Sequence, residues 1–166
     1  MKDLSTMDPK KDELTPEAIK QNIKVPAELQ EAYDRIVLAG KKIMFSKETN
    51  KAVLDAIKGE GSLGIRLGKG ITTLMMLLHR QSQGTMPPSL LVPVGVCLLA
   101  EAADFIRQGN IEPINNVIIA EAIQVFIEAI IQNFGGDPNG MYATFEQLEQ
   151  QQGSQPQPTQ QPGGMA

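Results

Sequence analysis

Apolar residues recur along most of this chain at spacings of three and four, which is the period of an α-helix. A short segment between Ser46 and Gly59 shows this pattern. Four longer segments also show it and are separated by glycine or proline: residues 26–44, 67–82, 90–107 and 114–134. The sequence therefore predicts an all-α fold, with about five helices in a compact bundle.

Residues that favour helix ends stand at the borders of these segments. Pro26 suits the first turn of the first long helix, and Ser46 is a suitable N-cap for the short helix that ends at Gly59. Gly84 is suited to end the next helix. Pro93 either begins the fourth helix or kinks it after one turn.

The segment Ile114–Phe134 has very few polar residues in its middle. They fall at spacings of three and four and form one narrow stripe on a helix: Glu121, Gln124, Glu128 and Gln132. A helix that is apolar around the rest of its circumference belongs at the centre of a bundle or at an interface between subunits. We expect its apolar face to be too broad for the neighbouring helices of one small domain to cover.

These patterns define two sets of candidate residues. The core or main interface is predicted to contain Leu74, Leu78, Leu98, Phe105, Ile119, Ile123, Phe126 and Ile130. Self-association, or docking on other proteins, is predicted to use Gly64, Gly68, Met75, Ile119, Ile123, Phe126 and Ile130.

The two ends of the chain differ in composition from the helical domain, which we place at residues 25–136. Residues 1–24 are rich in Lys, Asp and Glu, and are predicted to form a polar, mobile arm. Residues 137–166 begin with a weak amphipathic helix, Tyr142 to Leu148, and continue as a Gln/Pro/Gly-rich segment that is predicted to be disordered.

Charge is unevenly distributed along the chain. The net charge is −4 and the pI is near 5.0, which argues against general nucleic-acid binding by neutralisation of phosphates. Residues 1–80 carry 14 basic and 11 acidic residues, whereas residues 81–166 carry 1 and 8. The charged N-terminal segment has no apolar stretch of the secretory type, so we expect the protein to be made in a cytoplasm.

The glycine-rich stretch Gly59–Thr73 raises the question of a phosphate-binding loop. Gly64 and Gly68 enclose three residues where such a loop has four, and Gly70 follows Lys69 where the loop needs Ser or Thr. The preceding segment has a helical rather than a strand pattern. We therefore expect no nucleotide cofactor, and a nucleotide enzyme using Lys69 is kept as a rival hypothesis. The favoured interpretation is that Gly64 and Gly68 leave a flat patch that another helix can approach closely in an assembly.

Other catalytic chemistry has little support in the sequence. Cys97 is the single cysteine and lies in an apolar run, and a thiol nucleophile would need His79, the single histidine, as its base. His79 is predicted to be a solvated residue at a helix end, where it compensates the helix dipole. A di-metal bundle site needs Glu-x-x-His pairs, which the chain lacks. We expect no enzyme activity and no bound metal.

Membrane contact is an alternative. The segment around Met75, Met76 and Met86 is suited to core packing or to an adaptable partner surface. Arg66 and Lys69 would flank its apolar stripe, as basic residues do on helices that lie in a membrane interface.

The order of segments resembles that of small helical virion structural proteins of tailed bacteriophages. The resemblance covers about residues 61–136 and rests on "GSLGIRLGKGITTLMMLLHRQSQG", "TMPPSLLVPVGVCLLAEAADFI" and "NNVIIAEAIQVFIEAIIQNFG", between a polar arm and a Gln/Pro/Gly tail. It implies a head, neck or internal protein of the particle, made in the bacterial host cytoplasm. Some such proteins are ejected with the DNA into the host envelope. The implied partners are copies of the chain itself or other virion proteins.

Overall fold

Five α-helices account for most of the described part of the chain, which comprises residues 16–47, 51, 54–55 and 58–135 of the computed structural model. None of these residues forms a β-strand, so the predicted all-α fold is confirmed. Short 3₁₀ turns, Ala27–Leu29 and Pro88–Leu90, lead into the second and fourth helices. In chain order the helices are α1 (Pro16–Asn22), α2 (Gln30–Phe45), α3 (Leu63–Gln81), α4 (Leu91–Gln108) and α5 (Asn116–Phe134).

Helix α1 corrects the predicted N-terminal arm. Residues Pro16–Asn22 are helical, and Ile19 is only 4% exposed. The helix packs against α4 and so belongs to the bundle. Ile19 is buried in the core, and Ile23, just after the helix, packs against it. A few apolar residues can therefore anchor a short helix within a polar segment, and the composition of the segment does not reveal this. Residues 1–15 and the predicted tail at 137–166 lie outside the described residues.

The predicted short helix between Ser46 and Gly59 is described in part. Lys51, Leu54 and Asp55 are helical, and the Lys58 N–H donates to the Leu54 carbonyl at 2.9 Å. The Ser46 N–H donates to the Lys42 carbonyl at 2.9 Å, so Ser46 closes α2. Residues 48–50, 52–53 and 56–57 of this segment are outside the described residues.

Local sequence signals place most helix ends close to where they were predicted. Helix α3 ends in a turn in which Gln83 and Gly84 both have positive φ, and the Gly84 N–H donates to the His79 carbonyl. Asn110, the second residue after α4, has positive φ, as Gln83 has at the second position after α3. Pro93 lies in the first turn of α4, where its missing N–H interrupts no helical hydrogen bond.

The centre of the bundle is α4 and not the Ile-rich α5. Twelve of the 18 residues of α4 are buried, against six of the 19 in α5. Helix α4 contacts α1, α2, α3 and α5. Its small residues, among them Gly95, Ala100 and Ala103, let neighbours approach from several sides. The sequence prediction placed α5 at the centre of the bundle or at an interface between subunits, because its apolar face is so broad.

Seven of the eight residues predicted for the core or main interface are buried, and Phe105 is the exception. The Phe105 side chain on α4 is 46% exposed and packs against the ring of Phe45 on α2, which is 43% exposed. Periodicity could not identify Phe105 as a surface residue, because α4 carries apolar residues around nearly its whole circumference.

Candidate functional site

The glycine-rich stretch forms the contact between α3 and α5. Helix α3 begins at Leu63, so the backbone from Gly64 to Thr73 is regular α-helix rather than a phosphate-cradling loop. A Cβ atom on Gly64 would collide with the Glu121 side chain, and one on Gly68 would lie 2.7 Å from the Ala122 carbonyl oxygen. The predicted close approach of another helix therefore occurs within one chain, where α5 is that helix.

Helices α3 and α5 lie side by side and run in the same direction. Residue numbers rise together along both helices at three contacts: Gly64 with Glu121, Gly68 with Val125, and His79 with Phe134. At the start of the contact, the Ser62 hydroxyl caps α3 by accepting from the Ile65 N–H at 3.2 Å. The same hydroxyl donates to the Glu121 carboxylate at 2.7 Å and so joins the two helices.

Replacing Ser62 with alanine removes both bonds, and we expect the free energy of unfolding to fall by about 1–2 kcal/mol. Asn115 is a matched control, because its side chain caps α5 by accepting from the Ile118 N–H at 3.0 Å. Denaturant unfolding should show Ser62→Ala to be the more damaging of the two alanine variants, since it also loses the bond to Glu121. Equal losses would mean that the bond to Glu121 contributes nothing.

The seven residues predicted to mediate association all lie inside the chain's own core. None of their side chains is therefore presented to a partner while the bundle is closed, and a docking role for them would require it to open. They are Gly64, Gly68, Met75, Ile119, Ile123, Phe126 and Ile130, and each of the five with a large side chain is at most 4% exposed.

The polar stripe of α5 faces solvent along most of its length. Gln124, Glu128 and Gln132 are exposed, and the Gln124 amide donates to the Glu128 carboxylate at 3.1 Å. Glu121 is partly buried because it reaches Ser62. On either side of the stripe the apolar residues are only partly covered, and Val117 in the first turn is 77% exposed. The neighbouring helices thus bury six residues of α5 and leave the apolar residues beside its polar stripe only partly covered.

A row of polar contacts joins α2 and α4. The Lys41 ammonium lies 3.0 Å from the Glu101 carboxylate, whose side chain is 15% exposed. About two turns earlier on α2 and one turn earlier on α4, the hydroxyl of Tyr33 shares a hydrogen bond with the buried Cys97. Gly40 lies between them, and a Cβ atom there would be 2.5 Å from a methyl group of Leu98. Cys97 therefore serves the packing of α2 on α4.

Burial, and then the hydrogen bond to Cys97, raise the pKa of Tyr33 above its ordinary value of 10.0. The folded chain then holds its phenolic proton at a pH where the unfolded chain releases it, so the free energy of unfolding falls as the pH rises past 10.0. Tyr33→Phe removes this contribution. Urea unfolding at several pH values on both sides of 10.0 measures this. The free energy of unfolding should fall less steeply with rising pH in Tyr33→Phe than in the parent chain. Equal slopes would contradict the assignment.

His79 is not the solvated residue that was predicted. Its ring is partly buried and packs edge-on against Phe134 of α5, with ring centroids 4.9 Å apart. Its Nδ1 atom is buried and makes no hydrogen bond. The packing of α5 against the end of α3, which the sequence did not specify, encloses the ring. Cys97 and His79 have different packing partners, Tyr33 and Phe134, and nothing in these contacts joins them as a nucleophile and its base.

Arg66 also differs from its predicted role. Its side chain is 13% exposed and binds the Glu112 carboxylate through one amino group, at 2.9 and 3.0 Å, while its Nε donates to the Gly61 carbonyl. These contacts hold the turn before α5 against α3. Arg66 is therefore turned toward protein rather than toward a lipid surface, whereas Lys69 is exposed.

The surface feature that the sequence did not predict is an apolar strip along α2 and α4. We call it the Phe45–Phe105 patch and define it as Leu38, Phe45 and Phe105. Leu38 is 54% exposed and lies two turns before Phe45, on the same face of α2. The rings of Phe45 and Phe105 are 5.5 Å apart, and the Lys41–Glu101 ion pair lies one turn before them. An aromatic residue in the last turn of two helices was the available sequence signal, and periodicity assigned Phe105 to the core or main interface without deciding between them.

Within the described residues, no three His, Cys, Asp or Glu side chains are placed to hold a metal ion. A groove of about 240 Å³ lies between α2 and the end of α3, and apolar side chains line most of it. This volume is below the roughly 300–1,000 Å³ of sites that enclose a small-molecule ligand.

Two described stretches, Pro88–Gln108 and Asn116–Phe134, are long and apolar enough to cross a bilayer by length and composition alone. The first is 72% buried inside the bundle and is its core helix, whereas the second is 33% buried.

Searches against protein-family models, curated proteins and solved structures found no match to this chain.

Proposed function

We propose that this chain is a non-enzymatic structural component of a tailed-phage particle, and that it associates with further copies of itself through the Phe45–Phe105 patch. The observation that carries the proposal is the exposure of two aromatic rings, those of Phe45 and Phe105, which contact each other in a tilted arrangement. Each keeps more than two fifths of its surface in water although the two rings touch. Aromatic residues are enriched in protein interfaces, and burying them on association removes apolar surface from water.

Self-association is supported by the charges beside the patch. Lys41 and Glu101 carry opposite charges next to the rings, at 39% and 15% exposure. When two copies meet about a two-fold axis, the same surface faces itself, and a patch with both signs of charge can be self-complementary. The resemblance in segment order to small virion proteins supports the particle as the setting for this association.

Light scattering on the purified chain tests the association. We expect a mass above that of the monomer, and we expect Phe105→Glu to return it to the monomer because it places a charge in the centre of the interface. Thr73→Glu on the exposed face of α3 is the matched control and should leave the mass unchanged. A parent chain that stays monomeric on concentration would contradict self-association.

Mass spectrometry of intact particles tests the setting separately. The expected result is recovery of this chain from purified phage particles of the source. Its absence from such particles, with self-association intact, would leave a helical oligomer and reject the virion assignment.

Contact with a membrane is the second candidate, and the length and apolarity of α4 and α5 favour it. For this function the bundle would open and place both helices against lipid. Flotation with liposomes should then recover the protein in the lipid fraction, with α4 protected from protease. A chain that stays at the bottom of the gradient with both neutral and anionic lipid would exclude this candidate.

A further inference from the structure

The groove between α2 and the end of α3 has an apolar floor and a polar rim. Its floor is made by Ile36 and Ala39 of α2, Leu78 of α3, and Met86 from the connection after α3. Arg35 and Gln81, both exposed, stand at the rim. The groove shares no residue with the Phe45–Phe105 patch. Its size suits one or two apolar side chains from another segment of protein.

The chain leaves α5 close to this groove. The ring of Phe134, the last residue of α5, packs on His79, and His79 follows the groove residue Leu78. The next residue, Gly135, ends α5 in the left-handed conformation with φ of 63°. Five residues, 136–140, separate Gly135 from Met141 and can span at most about 16–18 Å. The segment that begins at Met141 therefore has the groove within its reach.

That segment contains nearly all the large apolar residues that follow α5. After Gly136 they are Met141, Tyr142, Phe145, Leu148 and, near the end of the chain, Met165. Met141 and Tyr142 precede Phe145 by four and three positions, and Leu148 follows it by three, which would place all four on one broad face of a helix. A short amphipathic helix of this kind is poorly stable in water unless its apolar face is covered.

Charge at the groove complements charge in the segment. At the rim the Arg35 side chain is 74% exposed and pairs with Glu31, one turn earlier on α2, at 3.1 Å, and Arg80 is exposed in the last turn of α3. The segment carries Glu146, and Glu149 follows it. Exposed charge pairs add little affinity, but they favour one orientation of a docked helix over another.

We propose that the segment Met141–Leu148 docks in the groove between α2 and α3 of its own chain, with Phe145 inserted between Ala39 and Leu78. The docked segment covers the apolar floor and fixes the start of the Gln/Pro/Gly tail beside the C-terminal ends of α3 and α5. The groove is thus a binding site for an amphipathic helix with an aromatic anchor.

The chain has no tryptophan, so Phe145→Trp supplies a single fluorescent reporter. In the full chain we expect its emission to shift to shorter wavelength, relative to a Gln155→Trp reporter in the Gln/Pro-rich tail. Adding Ala39→Arg to the Phe145→Trp chain fills the groove and should abolish the shift. Thr73→Arg, on the exposed face of α3, is the matched control and should leave the shift in place.

Cross-linking provides a second measurement that does not depend on the folding of the Ala39→Arg variant. Gln81 is exposed at the rim, so Gln81→Cys combined with Phe145→Cys should form an intrachain disulfide under mild oxidation. Thr73→Cys combined with Phe145→Cys should remain reduced. Cys97 is 3% exposed and does not compete.

The same measurements identify other occupants. A blue shift or disulfide that disappears on dilution means that the segment docks on a second copy, and it overturns docking within one chain. If the Phe145→Trp and Gln155→Trp chains emit at the same wavelength and no selective disulfide forms, the groove is empty or holds a different partner, and the proposal is overturned. Both results are independent of the Phe45–Phe105 patch, so they can fail while the proposed function stands.

Discussion

Replacement of Phe126 by alanine is expected to lower the free energy of unfolding by about 3–5 kcal/mol. The Phe126 side chain is fully buried, and its ring lies where a Cβ atom of Gly95 would be, directly against the backbone of α4. Removing the ring takes apolar surface out of the core and leaves a cavity that a glycine cannot fill. Because small domains are stable by only about 5–15 kcal/mol, chemical denaturation should detect this loss readily.

Phe105→Ala is the matched control for this loss. Both residues are phenylalanines that the sequence assigned to the core or main interface, but Phe105 is 46% exposed. Its truncation should cost far less than that of Phe126, since much of the ring is already in water. If the two alanine variants lose equal stability, the Phe126 ring is not packed against Gly95 in the core.

A second large effect is expected for Gly68→Val, which should cost about 3 kcal/mol, the upper end of the usual range for overpacking. The nearest atom to a Cβ at this position is the Ala122 carbonyl oxygen at 2.7 Å, with the Val125 side chain at 2.8 Å. A backbone carbonyl cannot rotate away as a side chain can, so α3 and α5 must move apart. The Ser62–Glu121 bond would be strained by the same movement.

Thr73→Val controls for the low helix propensity of valine. Thr73 lies in the same helix, is exposed, and should tolerate valine within about 0.5 kcal/mol. Comparison of the two variants by thermal and denaturant unfolding then isolates the steric term at Gly68. A Gly68→Val chain as stable as Thr73→Val would show that α3 and α5 are not in close contact.

Sequence reasoning identified the right residues for helix packing and assigned them to the wrong context. The spacing of Gly64 and Gly68 predicted a surface for close approach, and such a surface is present. The prediction placed its partner helix in another subunit, because no pattern indicates that α5, about fifty residues later, returns to the same helix. Met75 was predicted to serve core packing or an adaptable partner surface, and Ile119, Ile123 and Ile130 to lie in the core or the main interface; all four are buried in the core.

The features of the surface were the least predictable. Phe45 and Phe105 carry the same apolar signal as core residues, and the position of α4 relative to α2 decides that their rings stay partly in water. The environment of His79 depends in the same way on Phe134, which is fifty-five positions away in the sequence. Periodicity reports which residues share a face of one helix, but it does not report what that face meets.

The sequence by itself determined the helical class, the approximate extent of the four long helices, and most of their ends. These follow from local physics: the spacing of apolar residues and the left-handed turn after Gln81 act over a few residues, whereas α3 begins at Leu63, four residues before its predicted start at 67, and its capping by Ser62 was not predicted. Tertiary structure alone decided that α4 rather than α5 is the central helix, and which apolar residues remain in water. Those outcomes depend on steric fit between segments distant in the chain, above all at Gly68 and Gly95, and no local pattern encodes the identity of the partner.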